Sequence, residues 1–205
     1  MKSRAIKQWY IQPSSAPLYL RRCSKCKKVM PFYCSGKFRV NAQKRVVDVW
    51  LIYKCVKCDN TFNVDVLSRV NPELIDDEEY SSFQNNDNSA AWRYAFNPHV
   101  INKNKVKVDY SKIEYITDGD LLSLDDILEQ PEDLIVFNVN IKYDIDVSLS
   151  SIVRKNFNIS AAQLEKMLSS GVATFLPPGT VKNSKINDKQ SVVINKAKLK
   201  QFLTE

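Results

Sequence analysis

Two matched cysteine pairs constrain this chain most. Cys23-Ser-Lys-Cys26 and Cys55-Val-Lys-Cys58 are separated by 28 residues, and each pair can sit at the tip of a tight turn. A tetrahedral zinc ion needs four soft ligands at about 2.3 Å, and two such turns brought face to face by a hairpin supply them with no position left for water. The expected cofactor is therefore a structural Zn2+ held by Cys23, Cys26, Cys55 and Cys58. Lys27, Lys28 and Lys57 beside the sulfurs favour the thiolate form and offset the excess negative charge of such a centre. A redox pair would call for a βαβ pattern around one of the turns, and neither turn has one. The fifth cysteine, Cys34, follows Phe32 and Tyr33 and reads as small apolar filler. His99 is remote in sequence and reads as an ordinary polar residue.

Charge is segregated along the 205 residues. Residues 1–70 hold 15 Lys/Arg against 3 Asp/Glu, residues 71–145 hold 6 against 16, and residues 146–205 hold 9 against 4. A surplus of +12 over 70 residues exceeds what solubility asks of a surface and points to contact with a polyanion. No stretch of about 18 apolar residues is present, and the basic start Met1–Tyr10 lacks the apolar core of a secretory signal. The expected setting is the cytoplasm, without membrane contact, where thiols stay reduced and paired cysteines serve metals. Only four glycines occur, Gly36, Gly119, Gly171 and Gly179, too far apart for a glycine-rich phosphate loop.

Periodicity divides the chain into a β-rich zinc-ribbon domain (1–70), an acidic, mostly helical middle (71–133) and a strand followed by a small helical module (134–205), an α+β protein. Residues 6–20 read as two short strands around a proline turn. Lys37-Phe-Arg-Val-Asn41 alternates, with Phe38 and Val40 inward and Lys37 and Arg39 on a basic outer face. Val46–Tyr53 reads as a strand apolar on both sides, expected to be buried between layers. After the second cysteine pair, Asn60 suits a left-handed turn, and Val64–Val70 is expected to begin a helix. Asp76-Asp-Glu-Glu79 and the pair Ser123 and Asp126 are helix starts. Ile135 to Ile145 alternates as the clearest strand. Helices follow at Leu149–Phe157 and after Ser160, then short strands at Val172–Phe175, Val181–Ile186 and Ser191–Ile194, and a basic helical end from Lys196.

Residues of about 148–194 resemble the alpha-L RNA-binding motif in the order helix, Ile159-Ser160 cap, helix, Gly171-Val172 and late strand Val192-Val-Ile194. The motif's usual opening Arg-Leu-Asp stands here as Ser148-Leu149-Ser150. The resemblance implies a small module whose helices grip structured RNA. The stretch Lys37-Phe-Arg-Val-Asn41, Asp48-Val-Trp-Leu-Ile-Tyr53, Cys55 to Cys58 and Thr61-Phe-Asn63 resembles a bacterial family of unknown function, number ten-sixty-two, which implies no activity.

The expected function is that of a noncatalytic, zinc-containing RNA-binding protein acting on structured RNA of the ribosome or tRNA. Phosphate contacts are expected from Lys25, Lys27, Lys28, Lys37, Arg39, Lys44, Arg45, Lys54 and Lys57 on the ribbon, and from Arg154, Lys155, Lys166, Lys182 and Lys185 on the C-terminal module. Phe38 or Tyr33 could stack on an unpaired base. The alternative is a zinc-ribbon adaptor for a protein partner or a regulatory DNA-binding protein, DNA being disfavoured because no helix offers a recognition face. Catalysis is not expected: the paired acids read as helix starts and the zinc site is closed.

Overall fold

The computed structural model describes residues 3–43, 45–110, 113–143, 145–180 and 185–204. Its elements run β1 (Arg4–Pro13), β2 (Leu18–Arg22), β3 (Val29–Gln43), β4 (Val46–Cys55), β5 (Thr61–Val70), α1 (Asp77–Gln84), α2 (Asn88–Ala95), α3 (Pro98–Lys103), β6 (Lys107–Asp109) and β7 (Tyr115–Gly119). The chain then continues through α4 (Leu124–Glu129), β8 (Leu134–Ile141), α5 (Leu149–Phe157), α6 (Ala161–Ser169), β9 (Ala173–Leu176), β10 (Ser191–Asn195) and α7 (Lys196–Thr204). Strands and helices are mixed throughout, as expected of an α+β chain. Backbone proximity groups it into two units, Ser14–Glu114 and Met1–Pro13 with Tyr115–Glu205.

In the Ser14–Glu114 unit an antiparallel sheet has the order β5-β4-β3-β2-β6. Along β4 the side chains alternate with the strand period of two: Val47, Val49, Leu51, Tyr53 and Cys55 are buried, and Val46, Asp48, Trp50, Ile52 and Lys54 are half-buried. Helices α1 to α3 are too short to persist alone and depend on packing. They bury Phe83, Ala91, Ala95 and Val100 in one core with the odd-numbered β4 residues. Tyr19 stacks on Tyr53 at 4.1 Å, and its hydroxyl donates to the Ala95 carbonyl at 2.7 Å, which ties β2 to the end of α2. Each helix has a side-chain cap, Asp76 for α1, Asp87 for α2 and Asn97 for α3.

Two expectations are corrected here. Val64–Val70 does not begin a helix; it is the second half of β5, with Val64 and Val66 buried against β4. Register shifts set Leu67 opposite Val49 and Asp65 opposite Trp50, and the extra residues of these bulges break the alternation by which a strand is recognised. The even-numbered side of β4 is not buried between layers, since the helices of this unit share their core with its odd-numbered side.

The other unit is built on β7-β1-β8-β10-β9. β1 runs parallel to β8, with Arg4 opposite Leu134 and Ile11 opposite Ile141, and antiparallel to β7. Trp9 stacks on Phe137 at 4.5 Å, and Phe157 of α5 meets both rings edge-on at 5.5 and 5.6 Å. Ser123 and Asp126 form a reciprocal capping box at α4, and Ser160 and Gln163 form one at α6. Composition drew boundaries after residues 70 and 133, whereas strand pairing draws them after residues 13 and 114. Of the strand expected at Val181–Ile186, residues 181–184 lie outside the described residues, and Lys185 forms an isolated bridge with Ser148. Among the described residues no helix is long and apolar enough to cross a membrane.

Candidate metal centre and cationic face

The two cysteine pairs sit on two copies of one turn. The Cys23 amide donates to the Lys28 carbonyl at 2.9 Å and the Lys27 amide to the Cys23 carbonyl at 2.9 Å. The second turn repeats this, Cys55 to Asn60 at 3.0 Å and Asp59 to Cys55 at 2.9 Å. Closing a turn this tightly requires one left-handed residue, taken by Lys27 (φ 60°) and Asp59 (φ 53°). The left-handed position is thus Asp59, not Asn60, whose side-chain amide instead donates to Ser24 of the first turn at 3.1 Å.

Strand pairing brings the turns together, because Phe32 of β3 lies opposite Cys55 of β4 and Arg22 of β2 opposite Val29 of β3. The four sulfurs lie within 4.8 Å of one another. The separations Cys23 to Cys58, Cys26 to Cys58 and Cys26 to Cys55 are 3.6, 3.5 and 3.9 Å. A tetrahedron with metal–sulfur bonds of about 2.3 Å has edges of about 3.8 Å, whereas a disulfide needs about 2.05 Å. The donor set therefore fits a structural metal ion. Without an ion the thiols compete for protons: the Cys26 amide draws Cys23 down to about 6, while the hydrogen bond with Cys58 pushes Cys26 up to about 12. A divalent cation removes that conflict by holding all four as thiolates. Arg21, which sequence reasoning passed over, lies with its guanidinium 3.6 Å from the Phe62 ring centroid and adds positive charge near Cys23.

Lys25, Lys27, Lys28 and Lys57 are exposed on the two turns, as are Lys37, Arg39 and Arg45 on the β3–β4 hairpin, and Lys54 is half-buried. Among the described residues the ion pairs are Arg93 with Glu79 and Lys103 with Asp65, so none of these eight cations has a carboxylate within pairing distance. Lys44 and Lys182 lie outside the described residues. In the other unit Arg154, Lys155, Lys166 and Lys185 are exposed. The Lys155 ammonium donates to the Tyr115 carbonyl and sits 4.3 Å over its ring. Counted by unit, Ser14–Glu114 carries 17 Lys/Arg against 11 Asp/Glu, and the other unit carries 13 against 12. The cationic surplus belongs to the unit that holds the cysteines.

The β4 side facing away from α1 to α3 presents Trp50, Ile52 and Lys54, with Arg39 opposite Trp50 and Tyr33 opposite Lys54. Trp50 was not singled out from the sequence, although the alternation of β4 already set it beside Arg39. Phe38 is not a surface ring. It packs edge-on against Phe83 at 5.0 Å, while Tyr33 is exposed and donates its hydroxyl to Asp59 at 3.0 Å. Cys34 is half-buried against the core and burial pushes its thiol up, in keeping with a filler; His99 is exposed on α3 and outside the cysteine cluster.

Residues 40–176, about two thirds of the chain, match the model of a family described as a protein of unknown function, DUF1062. The match takes in Cys55 and Cys58 and begins after Cys23 and Cys26. No curated protein and no solved structure matches the chain.

Proposed function

The chain belongs to DUF1062, a family without an assigned activity, and from its own residues we propose that it is a noncatalytic RNA-binding protein whose binding unit is a zinc ribbon. The observation that carries this reading is the set of eight exposed or half-exposed cations around the cysteine turns and the β3–β4 hairpin, none of which has a carboxylate partner among the described residues. Unpaired cations held in fixed positions are what a phosphate backbone recognises, through release of its counterions. Zinc is the metal favoured by four thiolates in a closed tetrahedral site, and such a site leaves no position for a reacting water. The paired acids that a hydrolase might use are occupied: Asp76 caps α1 and Asp126 caps α4.

The C-terminal unit would add a weaker contact. Helix α5, the Ser160-capped α6, Gly171 and strand β10 follow the order of the alpha-L motif, and Arg154 and Lys166 are exposed on the two helices. Structured RNA of the ribosome or tRNA is the proposed ligand, and the setting is the cytoplasm. Two linked contacts of modest strength raise affinity through effective concentration.

The test is charge reversal at Lys37 and Arg39. The double variant Lys37→Glu, Arg39→Glu should weaken binding to total RNA and reduce the slope of log affinity against log salt by roughly 1.5 to 2. Unchanged affinity and slope would remove this hairpin from the interface. A second reading, docking of a protein partner, is favoured by Val29 and Val56, exposed at 64% and 48% beside the cysteine turns. Competition separates the two, since added ribosomal RNA displaces a nucleic acid but not an apolar protein contact.

A further inference from the structure

The open side of β4 carries more than charge. Trp50 stands at the centre of the face, with the Arg39 guanidinium 5.8 Å from its ring, and Tyr33 lies opposite Lys54 four residues along the strand, about 14 Å away. Two aromatic rings and two cations therefore alternate along one line. The carboxylates nearby are already engaged. Asp65 accepts from Lys103 at 3.1 Å and from Ser68 at 2.6 Å, Asp48 accepts the Arg69 amide at 2.8 Å, and Asp59 accepts the Tyr33 hydroxyl at 3.0 Å. What the face leaves unsatisfied is two π surfaces and positive charge.

We infer that this face binds single-stranded RNA, with Trp50 and Tyr33 as stacking platforms for bases and Arg39 and Lys54 as the contacts to intervening phosphates. The inference rests on the RNA-binding reading above and narrows it from RNA in general to unpaired nucleotides. A duplex keeps its base faces stacked on each other and offers this surface only phosphates, whereas a single strand offers both of the groups that the face lacks. Arg39 serves either partner, since its planar guanidinium can pair with a phosphate or cover the far side of a base resting on Trp50.

The experiment is fluorescence anisotropy of the full chain with a short labelled oligouridylate and with an RNA duplex of the same length, at about 50 and 200 mM salt. The oligouridylate should bind more tightly than the duplex. Trp50→Leu should weaken the single strand about ten-fold or more with its salt slope unchanged, and Trp50→Phe should recover most of the loss. Duplex affinity should stay within about two-fold in both variants. If Trp50→Leu loses its metal or its helical signal, Trp50→Phe and Tyr33→Leu carry the test, the latter again expected to lower single-strand affinity alone. Equal loss for both ligands, or no loss for either, overturns the stacking role and leaves RNA binding standing. Absence of binding to either ligand overturns both.

Discussion

Lys27 and Asp59 occupy the same place in two copies of one turn. Each donates its amide at 2.9 Å to the carbonyl of the cysteine four residues before it, and each has a left-handed backbone. The turn places two sulfurs toward one point while its left-handed residue sends the chain back into a strand. Duplication of that device, with the pairing of β3 and β4, makes a four-sulfur centre out of residues 28 positions apart.

The left-handed conformation costs a side-chain-bearing residue about 1 to 2 kcal/mol. Lys27→Gly should therefore leave stability unchanged or raise it. Lys27→Val should lower it by about 1 to 2 kcal/mol relative to the glycine variant, because a β-branched side chain suits that region least. Denaturant unfolding of the metal-loaded protein measures the difference.

Removal of the metal should lower the unfolding midpoint, and Cys26→Ser should do the same without a chelator. Binding must also depend on pH. The Cys26 thiol, pushed up to about 12 by its hydrogen bond with Cys58, has to lose its proton to become a ligand. Affinity for Zn2+ should accordingly fall as pH is lowered, measurable by competition with a chelator at about pH 8 and pH 6.

Tyr19 donates to the Ala95 carbonyl at 2.7 Å inside the core while its ring stacks on Tyr53. Tyr19→Phe keeps the stack and strands the carbonyl, for a loss of about 1 to 2 kcal/mol. A loss near zero would mean that the end of α2 is not held by this bond.

The Ser123 hydroxyl and amide hold the Asp126 carboxyl below the usual carboxylate range. Its contribution is present above the unfolded value of about 3.8 and is lost as pH falls through the lower folded value. Ser123→Ala should thus reduce stability at neutral pH and make the remaining acid dependence shallower, as thermal melts between neutral and strongly acidic pH would record.

The cationic surplus lies in the Ser14–Glu114 unit. Reversing Lys25 and Lys57 should therefore weaken RNA binding more than reversing Arg154 and Lys166. Equal losses in filter binding at one salt concentration would place the two units on the ligand with equal weight.

Local signals were legible in the sequence. The matched cysteine pairs, the alternation of Ile135, Phe137 and Val139, and the spacing of Ser123 and Asp126 each express a rule that acts within a few residues, and each has its counterpart in the structure. What acts across the chain was not legible. Nothing near Trp9 announces a parallel partner at Val139, 130 residues away, and so the first strand was assigned to the cysteine-bearing domain. The bulges that shift Leu67 opposite Val49 disguised β5 as a helix start. Phe38 and Tyr33 could not be told apart as core and surface until the bulge between Cys34 and Phe38 was seen to turn them to opposite sides. Trp50 gained meaning only once α1 to α3 were seen to pack on the other side of β4.

The most direct test is sedimentation of the native protein from lysate through a sucrose gradient at low and high salt, with and without ribonuclease. An RNA-binding zinc ribbon should travel with ribonucleoprotein particles at low salt and return to the top of the gradient after ribonuclease or in high salt. Migration as a free small protein under every condition, with its metal bound, would contradict RNA binding and favour the protein partner instead.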